Sequence, residues 1–335
     1  MFVLLIVAEV TVPRIVCYRN KIAHLIGRLV SPVARVRRPF AASLAAVCLT
    51  VLPATAGGEP KSEPAARAKN DDIEGALVIV GGGGFPDDIR ARFLQLAGGK
   101  RGRLVIIPTA SEQADRLRAY RRQIFDYWQA QGLASVSMLH TLDKKEADDR
   151  SFVKPLMEAT AAWLDGGDQT RLANAYRGTA VETELRRLLA RGGVIGGTSA
   201  GASVMSDVMI TGDNPQANVS QGFGLLQNVV IDQHFQNRKR RKRLLGVLAS
   251  HPRCLGLGID EDTAVVVKGH TFTVLGKANV SVCLPPTERD EGSVKLLKSG
   301  DVDDLLQLSK NVLARIKAPA EGKPMAARSS QATAP

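Results

Sequence analysis

Gly196-Gly197-Thr198-Ser199-Ala200-Gly201-Ala202 is the stretch on which the reading of this chain turns. Gly193-Val194-Ile195 before it reads as a short buried strand, and 203–208 after it as the first turns of a helix. Between them, Gly197-Thr198-Ser199-Ala200-Gly201 fits Gly-x-Ser-x-Gly, the strand-to-helix turn that holds a serine in a strained, exposed position. The glycines let the backbone bend tightly and let strand and helix approach closely. The helix start offers free N–H groups to a developing oxyanion. The bland alternative is a glycine-rich turn whose serine is buried against backbone. The apolar strand on one side and the small-residue helix on the other favour the catalytic reading.

Upstream, 76–80 is a continuous apolar run, as expected of a strand buried on both faces of a parallel sheet. Gly81 to Gly84 follow, and Pro86-Asp87-Asp88 opens a helix. A dinucleotide loop is disfavoured: there is no third glycine at the right spacing, no Gly-Lys-Ser/Thr and no acidic residue closing a second strand. Close backbone approach beside an active site is the better use of these glycines. Further strands are predicted at 103–108, 135–139 and 161–164, and helices at 115–131, 151–160 and 181–190. Leu117, Tyr120, Ile124 and Trp128 form one apolar stripe of the first of these helices. Alternating strands and helices imply an α/β fold: a mostly parallel sheet with helices on both faces, and sites at the carboxyl ends of strands. Gly81–Gly84, Gly166–Gln169 and Ser199 all fall at such ends and would converge on one edge.

Downstream of an irregular stretch, 211–224, a strand at 229–231 leads into Asp232-Gln233-His234-Phe235. Strands at 255–259, 263–267, 271–275 and 280–284 make an antiparallel C-terminal section around Asp260-Glu261-Asp262. A serine nucleophile needs a base and benefits from an orienting acid. Of His140, His234, His251 and His270, the best base is His234, at a strand end beside Asp232 and Gln233. The acids between serine and histidine are Asp207, Asp213 and Asp232, and Asp213 is the favoured one. Ser199 and His234 lie only 35 positions apart, which argues against the α/β-hydrolase fold, where the histidine is far downstream. The basic run 238–243 reads either as a solvated face or as a set of arginine forks for carboxylates. Nucleic acid is disfavoured, because neither aromatic interleaving nor a recognition module accompanies the run.

The chain has 335 residues, 44% hydrophobic and 23% charged, ample for a globular core. Arg35, Arg37 and Arg38 precede an uncharged run, 40–52, that ends at Ala54-Thr55-Ala56. This is the anatomy of an export signal with cleavage after Ala56, and Arg37-Arg38 resembles a twin-arginine motif. The run is short for a membrane span. Segment 1–56 carries seven basic residues against Glu9 alone, so its removal halves the formal charge of +12. Segment 57–72 reads as a linker, 73–316 as one catalytic domain and 317–335 as a disordered tail. Cys17 and Cys48 leave with the signal, and Cys254 and Cys283 remain without a metal-site motif.

Gly-Gly-Asp-Gln at 166–169, Gly-Thr-Ser-Ala-Gly-Ala at 197–202, Asp232-Gln233-His234-Phe235 with Arg238, Arg240 and Arg243, and Gly258 to Ala264 together resemble the cyanophycinase branch of the S51 serine peptidases. The resemblance spans roughly 76–285. It implies a flavodoxin-like sheet related to class I glutamine amidotransferases, a homodimer, and neither metal nor cofactor. Ser199 would attack and His234 would be the base, while N–H groups of Ala200, Gly166 and Gly167 would hold the oxyanion. Gln169, Asp232, Gln233, Arg238, Arg240 and Arg243 would line the pocket. The substrate would be a polyaspartate backbone bearing arginine on its β-carboxylates, released as β-aspartyl-arginine. Some cyanophycinases use a glutamate as third triad member, and none lies between Ser199 and His234; Asp213 is expected to substitute. The alternatives are an S51 peptidase for other aspartyl or isoaspartyl peptides, and a non-catalytic binder of anionic polymer. The export signal implies a periplasmic or extracellular protein with no lasting membrane partner.

Overall fold

A computed structural model describes residues 73–212, 217–288 and 290–317 of the chain. Its strands are β1 (Ala76–Val80), β2 (Arg103–Ile107), β3 (Ser135–Met138), β4 (Ala161–Leu164), β5 (Val194–Thr198), β6 (Val208–Thr211), β7 (Asn218–Gln221), β8 (Val229–Gln233), β9 (Leu255–Ile259), β10 (Thr263–Lys268), β11 (Thr271–Gly276), β12 (Asn279–Cys283), β13 (Val294–Lys298) and β14 (Val302–Asp304). The main sheet has the order β14-β11-β10-β1-β5-β4-β2-β3. From β1 to β3 every pairing is parallel, and β10, β11 and β14 extend the other side antiparallel. A second sheet, β13-β12-β9-β8, is antiparallel except for the β8–β9 pair.

The unbroken apolar runs follow from burial on both faces. Val78, Val80, Leu104, Ile106 and Trp163 pack against Ile89, Phe93 and Trp128 of the helices Asp87–Leu96 and Arg118–Gln129. Leu77, Ile79, Val105, Ile107 and Leu164 point the other way, onto Leu156, Leu172, Tyr176, Leu185 and Leu188 of the helices Arg150–Glu158, Gln169–Tyr176 and Ala180–Ala190. The helix Arg241–Ser250 adds a third cluster with Val230, Phe235, Leu244 and Leu248. Cys254 and Cys283 lie in that cluster as free thiols, which burial pushes up to about 11 and about 12.

Four local expectations need correction. The helix after the elbow is one turn, Ala200–Ser203, and the chain then enters β6; the β-branched Val208, Ile210 and Thr211 favour the strand. The stretch read as irregular contains its partner β7. The helix expected at 115–131 breaks at Leu117, whose extended backbone separates Gln113–Arg116 from Arg118–Gln129 and leaves that side chain 51% exposed. Lys317 ends the helix Leu305–Lys317 instead of opening a tail. The expectations for 1–56, 57–72 and 318–335 lie outside the described residues. No described helix is long and apolar enough to cross a membrane.

Candidate active site

The carboxyl ends of β1, β4 and β5 bring Gly81–Gly84, Gly166–Gln169 and Ser199 to one edge of the sheet. Ser199 has φ 52° and ψ −110°, a backbone that few non-glycine residues adopt. Two glycines make it possible. A Cβ on Gly201 would lie 2.0 Å from the Leu164 carbonyl oxygen, and one on Gly197 would lie 2.5 Å from that of Gly201. The Ser199 N–H donates to Val80 at 3.0 Å, tying the elbow to β1.

His234 follows β8, also with positive φ, and its N–H donates to the Gly81 carbonyl at 2.7 Å. Its Nε2 is 2.9 Å from Ser199 Oγ. Its Nδ1 is 2.6 Å from Glu261 Oε1. Glu261 belongs to the β9–β10 turn, 27 residues beyond the histidine, and was not among the acids singled out from sequence. The favoured Asp213 lies outside the described residues. Asp232 stands two residues before His234 and is engaged elsewhere.

The glycine loop 81–84 serves close approach. At Gly82 (φ 101°) a Cβ would fall 2.2 Å from His234 Cε1, so only glycine admits the ring. The Gly82 carbonyl accepts the Asp262 N–H at 2.9 Å, and the Asp262 carboxylate accepts the Gly84 N–H. Loop 81–84 therefore clamps both the histidine and the turn that carries its carboxylate. His234 is 6% exposed. Burial pushes its imidazole below the ordinary histidine value; the Glu261 hydrogen bond opposes this and the Arg238 and Arg240 cations add to it. A neutral imidazole at neutral pH is what a base toward Ser199 requires.

The arginine forks are largely internal. Arg243 meets Asp232 through two nitrogens, with Nε 3.1 Å from Oδ2, and its Nη1 donates to the Gly212 carbonyl at 2.9 Å. Arg240 Nη1 lies 3.4 Å from Asp232 Oδ1 and 2.9 Å from Gln233 Oε1. Asp232 is 0%, Arg240 5% and Arg243 4% exposed. Both guanidinium groups thus meet the Asp232 carboxylate inside the protein, as a buried carboxylate requires a partner. Arg238 is exposed, in a turn before the helix Arg241–Ser250. Gln169 is buried, and its Nε2 donates to the Ile210 carbonyl at 2.8 Å. Gly166 faces the nucleophile: a Cβ there would sit 3.7 Å from Ser199 Cβ. Its N–H bonds the Asp165 carboxylate. Among the described residues no group of three or more His, Cys, Asp or Glu is placed to hold a metal ion.

The model of peptidase family S51 matches residues 77–275. A cyanophycinase of Geminocystis herdmanii is 34% identical over 222 residues, 63% of this chain and 80% of that protein. Those of Thermosynechococcus vestitus and a Nostoc species are each 35% identical, covering 62% and 64% of this chain and 68% and 74% of theirs. The crystal structure of a peptidase from an acI-B1 actinobacterium superposes with a TM-score of 0.53 at 23% identity, over 69% of this chain and 96% of that one, a likeness of fold.

Proposed function

We propose that this chain, which belongs to peptidase family S51, hydrolyses cyanophycin to β-aspartyl-arginine through a Ser199–His234–Glu261 relay. The observation that carries the proposal is the pair of distances at His234, 2.9 Å to Ser199 and 2.6 Å to Glu261. Serine-type peptidase chemistry comes with the family, and the substrate is that of the cyanophycinases to which the chain is 34–35% identical.

Ser199 Oγ attacks the scissile carbonyl carbon as its proton passes to His234 Nε2. Glu261 accepts the Nδ1 proton in a hydrogen bond, sets the tautomer and stabilises the imidazolium. The carbonyl oxygen becomes an oxyanion held by the N–H groups of Ala200 and Gly167. The imidazolium returns its proton to the leaving amine, the C–N bond breaks, and an acyl-enzyme ester remains. Water, deprotonated by the same imidazole, then releases the acid and restores Ser199. Arg238 beside the histidine is the arginine positioned to meet a carboxylate of the polymer. Asp213 is not needed as the orienting acid in this scheme.

Incubation with cyanophycin followed by mass spectrometry is expected to give β-aspartyl-arginine from the wild type and none from folded Ser199→Ala. Absence of product from a chain whose Ser199 still reacts with a phosphonylating probe would keep the hydrolase and discard this polymer, leaving aspartyl and isoaspartyl peptides to be screened. A Ser199 inert to the probe would favour the non-catalytic binder. We infer in addition that the chain is exported and that it is a homodimer. N-terminal sequencing of the mature protein and its mass in solution test those two points.

A further inference from the structure

A second hydroxyl–imidazole–carboxylate array lies at the carboxyl ends of β2 and β3. Thr109 Oγ1 is 3.0 Å from His140 Nδ1, and His140 Nε2 is 2.9 Å from Asp115 Oδ1. Its likeness to the Ser199 site is superficial. Thr109 is 0% exposed, so no substrate can reach its hydroxyl. What sets the array apart is that it closes on itself. Arg171 donates from Nη2 to Asp115 Oδ2, and from Nε to the Thr109 carbonyl at 2.8 Å. The path Thr109–His140–Asp115–Arg171–Thr109 is therefore a ring.

The proton positions follow from the partners. Asp115, paired with Arg171, only accepts, so the His140 proton is on Nε2 and Nδ1 accepts from the Thr109 hydroxyl. Thr109 Oγ1 then accepts from Tyr176 Oη at 2.7 Å, and Tyr176 Oη accepts the Thr141 N–H at 3.2 Å. Every donor has one acceptor, which fixes the 108–110 backbone at the end of β2.

That backbone holds the oxyanion loop. The Ala110 carbonyl accepts the Asp168 N–H at 2.9 Å, and a Cβ on Gly167 would lie 2.2 Å from the same oxygen. The Asp165 N–H is bonded to Ile107, the last residue of β2, at 3.1 Å. Residues 165–168 thus rest on 107–110 at both ends, with Gly166 facing Ser199. We propose that Thr109, His140, Asp115 and Arg171 are positioning residues, whose ring sets the height of the Gly166–Gly167 loop over the nucleophile. The catalytic half of this inference rests on Ser199 being the nucleophile; the mechanical half does not. Displacing an oxyanion donor by about 1 Å costs on the order of 100-fold in rate.

The test uses the full chain with Thr109→Val, Thr109→Ser and the part-exposed Asp115→Ala. Two quantities are read: amide hydrogen exchange over 165–169, and kcat and KM on cyanophycin. In Thr109→Val and Asp115→Ala, exchange over 165–169 is expected to accelerate about tenfold, as loss of one well-made hydrogen bond permits, with kcat at least tenfold lower and KM within twofold. Thr109→Ser, which keeps the hydroxyl, should restore wild-type values. Unchanged exchange in both disruptive variants would overturn the inference. So would accelerated exchange with kcat untouched, or a loss confined to KM. A wild type that turns over no polymer would sink the proposed function while the exchange measurement still decides the mechanical link.

Discussion

In the proposed relay, Glu261 and His234 divide the work of the base in a way that pH separates. Burial lowers the imidazole below 6.5 and Glu261 raises it, burial being the larger effect. The acid limb of kcat/KM, which follows the free enzyme's base, should therefore lie below pH 6.5. Glu261→Gln removes the raising partner, so that limb should move to still lower pH. The plateau should fall on the order of 10²- to 10⁴-fold, because the imidazolium formed in the transition state loses its carboxylate. A plateau within threefold of wild type would mean that another carboxylate orients the histidine. Gly82→Ala acts on the same ring sterically. Its Cβ would fall 2.2 Å from His234 Cε1 at a φ of 101°, so kcat should drop at least 100-fold with a backbone cost of about 1–3 kcal/mol, read by steady-state kinetics and urea unfolding.

At the scale of elements, the site is an agreement between four strand ends, those of β1, β4, β5 and β8, and one turn. Ser199 and His234 are legible in sequence because each sits in a local pattern: an apolar strand, then a glycine elbow or a polar cluster. Glu261 is not legible that way. Its partnership with His234 depends on β8 lying parallel to β9, so that the turn after β9 comes level with the residue after β8. Loop 81–84 then clips the two together. A search for the acid between serine and histidine misses a carboxylate delivered by the neighbouring strand. The basic run misleads for a related reason. Spacing along 238–243 says nothing of Asp232, whose side chain faces inward and draws Arg240 and Arg243 off the surface. Asp232→Ala leaves two guanidinium groups buried without their carboxylate, and should destabilise the fold by about 3–5 kcal/mol in urea or thermal unfolding. A loss under 1 kcal/mol would return the two arginines to the surface, where a pocket could use them.

For the whole molecule, both active-edge histidines are held neutral by burial, and this couples stability to pH. His140 and His234 each have a folded value lowered from 6.5, with desolvation the largest cause in both. Around His140, Asp115 opposes the shift while Arg121 and Arg171 reinforce it. Unfolded, both rings protonate as pH falls through 6.5; folded, they resist until the lowered values are reached. In that window the unfolded chain binds more protons, so unfolding free energy falls as pH falls and flattens below the folded values. Asp165, Asp232 and Asp260 are shifted the opposite way for a carboxylate, upward by burial. Their contribution declines as pH rises above 3.8, a different window with the reverse slope. Urea unfolding from pH 7 downward should therefore show a loss beginning near 6.5. His140→Gln and His234→Gln should each remove part of that slope, and the double variant most of it. If the double variant kept the wild-type slope, the two rings would titrate alike in the folded and the unfolded chain, and the acid limb of kcat/KM expected below pH 6.5 would have to be abandoned with it.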